Sequence, residues 1–212
     1  MSSISRTGRG AEDLTARARI RDAAIEQFTE RGFDRATIRE IAKAAGVSPG
    51  LVRHHFGSKD ELRQVCDAYA LDGLRRYVDQ TMTAEGLNDP RTVAEARDPL
   101  HPLQRYLARA LIDESETAGE IFDAMVAMTE QVLRQTDQEQ ADPPTADRKT
   151  RAALMVAMAL GVPAFRVHVA RNTGAELYSP EGDRQIALAI LDIHSHPVIS
   201  PGSARTLQQG LE

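Results

Sequence analysis

Cysteine is nearly absent from this 212-residue sequence, and tryptophan is absent altogether. The single thiol, Cys66, excludes an internal disulfide and a cysteine-rich zinc site, and it suits a reducing cytoplasm. Aromatic residues make up only 4% of the chain, too few for a large aromatic β-sandwich. No stretch alternates apolar and polar residues with the period of a strand. Long uncharged apolar runs are missing too. The longest candidate, 152–170, contains Pro163, Arg166 and His168. It reads as a buried helix, because a membrane span needs about 20 residues almost free of charge. The arginines near the start are not followed by an apolar segment of secretory type. No P-loop, GxSxG or HExxH pattern occurs, so the expectation is a non-enzyme with no cofactor and no metal.

What is present favours helices: Ala, Leu, Glu, Arg and Gln dominate. The net charge of −5 is unevenly spread, with +3 over residues 1–63 and −8 over the remainder. A mildly basic front joined to an acidic rear suggests two tasks. Residues 1–14 are rich in Ser, Arg and Gly and are expected to be a disordered arm. Ile20, Ala24 and Phe28 recur at helical spacing, predicting a helix over 15–31 that ends at Gly32.

Thr37 and Glu40 form a capping-box pattern, Ile38, Ile41, Ala42 and Ala45 give an apolar stripe, and Gly46 stops the helix. Ser48 and Pro49 open a second, short helix over 49–55. Ser58 then caps a long helix from Lys59 to about residue 82. A loop is expected over 85–102, with helices at 103–116, 119–135, 148–173 and 180–194, a connection over 136–150, and a flexible tail over 197–212. The reading is an all-α protein. A three-helix helix-turn-helix DNA-binding domain spans 15–63, and a second helical domain spans 64–196.

Helical residues advance by about 100° each. With Val52 and Phe56 inward on the short helix, His54 points directly outward and Gly50 and Leu51 lie near that direction, with Arg53 and His55 on the two flanks. Gly50 permits close approach, Leu51 suits a thymine methyl, and Arg53 suits guanine or a phosphate. The helix N-terminus beside Ser48 suits a phosphate, as does Lys59. His54 and His55 diverge too far to chelate one metal.

The strings Thr37-Ile38-Arg39-Glu40-Ile41-Ala42, Ala45-Gly46-Val47-Ser48 and Val52-Arg53-His54-His55-Phe56-Gly57-Ser58-Lys59 resemble the tetracycline-repressor (TetR) family. The likeness is close over about residues 15–65. Leu51 stands where Thr is frequent, and Arg53 and His55 stand where a Tyr pair is frequent. The resemblance implies a homodimeric repressor of the cytoplasm that binds a palindromic operator in double-stranded DNA and responds to a small-molecule effector, with no membrane partner. It assigns DNA contacts to Thr37, Arg39, Ser48, Pro49, Gly50, Leu51, Arg53, His54, His55 and Lys59. It also implies a dimer interface on the last two helices. The residues expected there are Leu160, Ala164, Phe165, His168, Ile186, Ile190 and His194. Candidate effector-pocket residues are Tyr106, Phe122, Met125, Met128, Met155 and Met158, since Met adapts to irregular ligands. A small helical enzyme or ligand carrier, whose front helices only pack, is the alternative.

Overall fold

A computed structural model describes residues 5–81, 90–112, 116–140, 144–196 and 198–210. The described residues form ten helices and no strand: α1 (Ser5–Arg31), α2 (Ile38–Ala45), α3 (Pro49–Phe56), α4 (Lys59–Thr81), α5 (Pro90–Ile112), α6 (Glu116–Glu139), α7 (Arg148–Ala164), α8 (Arg166–Thr173), α9 (Pro180–Ser195) and α10 (Pro201–Gln209). The chain divides into two compact units, residues 1–164 and 165–212.

In the first unit, α1, α2 and α3 enclose Ile20, Ala24, Phe28, Ile41, Ala42, Val52 and Phe56. That interior does not end where a domain boundary near residue 63 was expected. It continues through Leu62, Cys66 and Ala70 of α4 into Leu103, Tyr106, Leu107 and Ala110 of α5 and Ile121 of α6. Gly73 makes part of this possible, because a Cβ there would lie 2.3 Å from Leu103 Cδ1. The Cys66 thiol is buried, its pKa pushed up by desolvation so that it stays protonated, and it donates to Arg21 O at 3.8 Å. A smaller cluster joins α6 to α7 through Val126, Ala152 and Val156. There Asp137 receives hydrogen bonds from Arg148 (2.9 Å) and Arg151 (2.7 Å), which close the connection between the two helices.

The second unit comprises α8, α9 and α10. Gly174 ends α8, and the Ser179 hydroxyl accepts from Gly182 N to start α9. Among its described residues only Ala175 and Gly182 are buried. Tyr178, in the turn before α9, has a left-handed φ of 72°, rare for a residue with a side chain.

Several expectations need correction. The arm over 1–14 is not structureless where it is described: α1 runs back to Ser5, through a segment with no proline to stop it. Residues 1–4 lie outside the described residues. The loop expected over 85–102 is helical from Pro90 onward. Residues 82–89 lie outside the described residues. The helix over 148–173 breaks at Phe165, two residues after Pro163, whose missing N–H removes a rung of the helix ladder. The connection over 136–150 shrinks, because α6 extends to Glu139. The tail holds α10, capped by Ser200 and opened by Pro201.

Candidate nucleic-acid interface

The site is built by short-range rules. Thr37 Oγ1 accepts from Glu40 N at 3.3 Å, and Glu40 Oε2 accepts from Thr37 N at 3.1 Å, the reciprocal cap that the spacing predicts. Arg31 also pairs with Glu40, tying the end of α1 to the start of α2. The Thr37 hydroxyl, and then Arg31, hold the Glu40 carboxyl below its ordinary range. Gly46 takes φ 66°, and Val47 N donates to Ala42 O at 2.9 Å, so α2 stops and the chain turns within two residues. Ser48 Oγ accepts from Leu51 N at 3.2 Å, with Pro49 in the first turn of α3.

Val52 and Phe56 are buried. Because they anchor one side of α3, the other side faces solvent. Pro49, Gly50, Arg53 and His54 are exposed, while Leu51 and His55 are half-buried. His55 lies 6.1 Å from the Phe56 ring and 5.5 Å from His54, so the three rings form a row from core to surface. A Cβ at Gly50 would meet only Ser48 Oγ, at 3.8 Å, so the helix start presents bare backbone. Arg17 of α1 lies 5.4 Å over Phe56 and steadies the far end of α3. On α2, Thr37 and Arg39 are exposed on the approach to the same face. Exposed cations and a close-approach glycine on a short second helix match the chemistry of major-groove reading.

Lys59 behaves differently from the phosphate contact expected of it. Its ammonium donates to Phe33 O at 2.9 Å and Ala36 O at 3.2 Å and sits 4.3 Å from the Phe33 ring centroid. With Asp34 O at 3.4 Å, three backbone carbonyls and a ring compete for it, so its side chain fixes the turn between α1 and α2. Glu61 takes over the N-terminus of α4, accepting from Ser58 N at 2.7 Å.

The six pocket candidates do not converge on one cavity. Tyr106 is interior and bonded to Asp67 at 2.5 Å. Phe122 and Met125 pack beside Val126 and Ala152. Met155 is half-buried, and Met158 is exposed. Of the six, Met128 alone lines a groove of about 220 Å³, with Arg75, Val78, Asp79, Gln131, Val132 and Gln135. Its polar lining was missed. The signal was available in the four-residue spacings 75–79 and 131–135, each flanking a valine. Among the described residues no group of three or more His, Cys, Asp or Glu side chains could hold a metal ion.

Of the expected interface residues, Ala164, Phe165, His168, Ile190 and His194 are exposed and Ile186 is half-buried. Leu160 packs partly into the α6–α7 cluster instead.

The arrangement of α1 to α3 is that of a helix-turn-helix DNA-binding protein. The family profile described as "Bacterial regulatory proteins, tetR family" matches residues 20–66, and "Tetracyclin repressor-like, C-terminal domain" matches 98–200. The HTH-type transcriptional regulatory protein RaaS of Mycobacterium tuberculosis is 40% identical over 147 residues, covering 68% of this chain and 67% of its own. The HTH-type transcriptional regulator UidR of Escherichia coli K12 is 29% identical over 154 residues, covering 58% and 78%. Among solved structures, a TetR-family regulator from Rhodococcus sp. superposes with a TM-score of 0.59 at 20% identity, covering 85% of this chain and 98% of that one. The fatty acid degradation regulator FadR from Bacillus halodurans gives 0.57 at 18%, covering 72% and 84%. The chain therefore belongs to the TetR family. It is a DNA-binding transcriptional regulator, and its relatives are named as regulators rather than enzymes. No single helix among the described residues is long and apolar enough to cross a membrane.

Proposed function

We propose that the chain acts in the cytoplasm as a homodimeric, effector-controlled repressor. Each α3 enters one half-site of a near-palindromic operator, the half-sites lying about one helical turn (~34–36 Å) or a multiple apart. The observation that carries this reading is the outward face of α3, where Gly50, Arg53 and His54 are exposed while Val52 and Phe56 are buried. Arg39, with Thr37 and Ser48, supplies flanking contacts to the backbone. The apolar side chains left exposed on the second unit, among them Phe165, Leu191 and Ile193, support a second copy as partner. The polar groove lined by Arg75, Asp79, Gln131 and Gln135 supports an effector that carries hydrogen-bonding groups. Such an effector releases DNA by binding better to an arrangement that cannot span two half-sites.

The test is a salt titration of binding to DNA flanking the chain's own coding region, against an unrelated duplex. Specific binding weakens steeply with salt, as counterions return to the phosphates. Arg53→Ala is expected to cost about 1–3 kcal/mol and relax sequence preference. Indifference to every duplex, or an Arg53→Ala variant as selective as the parent, would overturn the reading.

A further inference from the structure

The described residues contain only three buried polar or charged side chains, Arg63, Asp67 and Thr81, and all three lie on α4. Thr81 is accounted for locally, its hydroxyl donating to Tyr77 O one turn back at 2.7 Å. Arg63 and Asp67 face each other one turn apart and also reach beyond α4. Asp67 Oδ1 accepts from the Tyr106 hydroxyl of α5, 39 residues away in sequence, at 2.5 Å. Asp67 Oδ2 faces Arg63 Nε at 3.8 Å. The Arg63 guanidinium lies 4.6 Å from the Phe33 ring centroid. The other cation on that ring is Lys59, which holds the carbonyls of Phe33 and Ala36. Ala36 immediately precedes Thr37, the cap of α2. A series of polar, ion-pair and cation–ring contacts thus runs from α5, down α4, to Ala36, the residue before the α2 cap.

We infer that the Tyr106–Asp67 hydrogen bond is a positioning latch for DNA reading: through Arg63, Phe33 and Lys59 it sets where α2, and with it α3, stands relative to α4 and α5. The physical reason is the cost of the pair. A carboxylate and a phenol in an otherwise apolar interior are dehydrated, and well-packed apolar residues of similar volume are often no less stable there. Burial pushes the Asp67 carboxyl up, while the Tyr106 hydroxyl and Arg63 draw it back down. What a directional bond gives, and an apolar contact does not, is one defined register between the two helices. The tight packing of Gly73 against Leu103 leaves little room for α5 to find another. Arg109 and Ala110 of α5 share a small cavity with Tyr106, Arg63, Phe28 and Phe33, so this side of the latch also touches the floor of the DNA-binding unit. The inference rests on α3 being the reading helix.

The experiment uses the full chain and a duplex selected in vitro with the unaltered protein. Tyr106→Phe removes one oxygen and keeps the ring. At a temperature well below its melting transition, operator affinity is expected to fall at least five-fold, with the salt slope and base preference unchanged. Amide exchange over residues 36–41 is expected to quicken. Asp67→Asn is expected to act alike, and the double variant to be no worse than the weaker single. Arg53→Ala is the control: if it keeps full affinity and selectivity, the assignment of α3 is at fault and not the latch. A folded Tyr106→Phe chain that binds within two-fold of the parent, with residues 36–41 equally protected, overturns the latch and leaves a packing role. If Tyr106→Phe does not fold, Asp67→Asn is read in its place. Failure of both to fold also overturns the proposal, since the pair would then be a requirement of the fold.

Discussion

The interior around α1 to α5 and the unit 165–212 use similar residues to opposite ends. In the first, Ile20, Ile41, Leu62 and Leu107 are at most 1% exposed. In the second, Val167, Leu191 and Ile193 are each about two-thirds exposed, and α8 has no buried residue at all. Burial at roughly 25 cal/mol per Å² stabilises the first on its own, whereas the second leaves that contribution unmade within one chain. The contrast separates a region that buries its own apolar side chains from one that leaves them exposed.

The comparison can be broken most directly at its strongest point. Leu62→Ala removes a fully buried side chain and is expected to cost about 2–5 kcal/mol in urea unfolding, with loss of DNA binding in step. Leu191→Glu puts a charge on the exposed face of α9. It is expected to convert a dimer to monomers in sedimentation and to abolish the dependence of melting temperature on protein concentration. If Leu191→Glu instead unfolds a monomer, the two regions are not different in kind.

Smaller effects sharpen the picture. Thr37→Ala removes the cap of α2 at an exposed position and is expected to cost about 1 kcal/mol in thermal unfolding. The carboxylates are expected to respond to pH with opposite signs. Arg151 and Arg148 depress Asp137, so its contribution is present above the ordinary Asp pKa of about 3.9 and is lost as pH falls through the lower folded value. Desolvation raises Asp67, so its contribution is present below the ordinary value and is lost as pH rises through the raised one. In stability profiles, Asp137→Asn should flatten the acid limb, and Asp67→Asn the decline toward neutral pH. Equal slopes in both variants and the parent would remove this distinction.

The turn that matters most was legible because its causes are local. Thr37 with Glu40, Gly46, and Ser48 with Pro49 each act within four residues, and α2 and α3 begin and end where those signals lie. Pro99 and Pro102 misled for the converse reason. They suggest a loop, but Leu100, Leu103, Tyr106 and Leu107 of the same segment are buried, and packing overrides intrinsic propensity. The intramolecular partners of Lys59 were not legible because they lie 23 and 26 residues upstream. The Asp67–Tyr106 bond was invisible for the same reason: no periodicity relates α4 to a tyrosine on α5. The pocket candidates scatter because methionine at helical spacing serves a core as readily as a ligand, and only the fold separates Met128, on a groove, from Met125, in the core.

Phe33, held between Lys59 and Arg63, also bears on how binding can be undone. Arg63 is 8% exposed, and short cation–ring contacts of this depth are poorly screened by dissolved ions, unlike contacts to phosphate. Salt strong enough to strip the regulator from a duplex is therefore expected to leave the Arg63–Phe33 contact in place. Rebinding after dilution should need no refolding step, only diffusion.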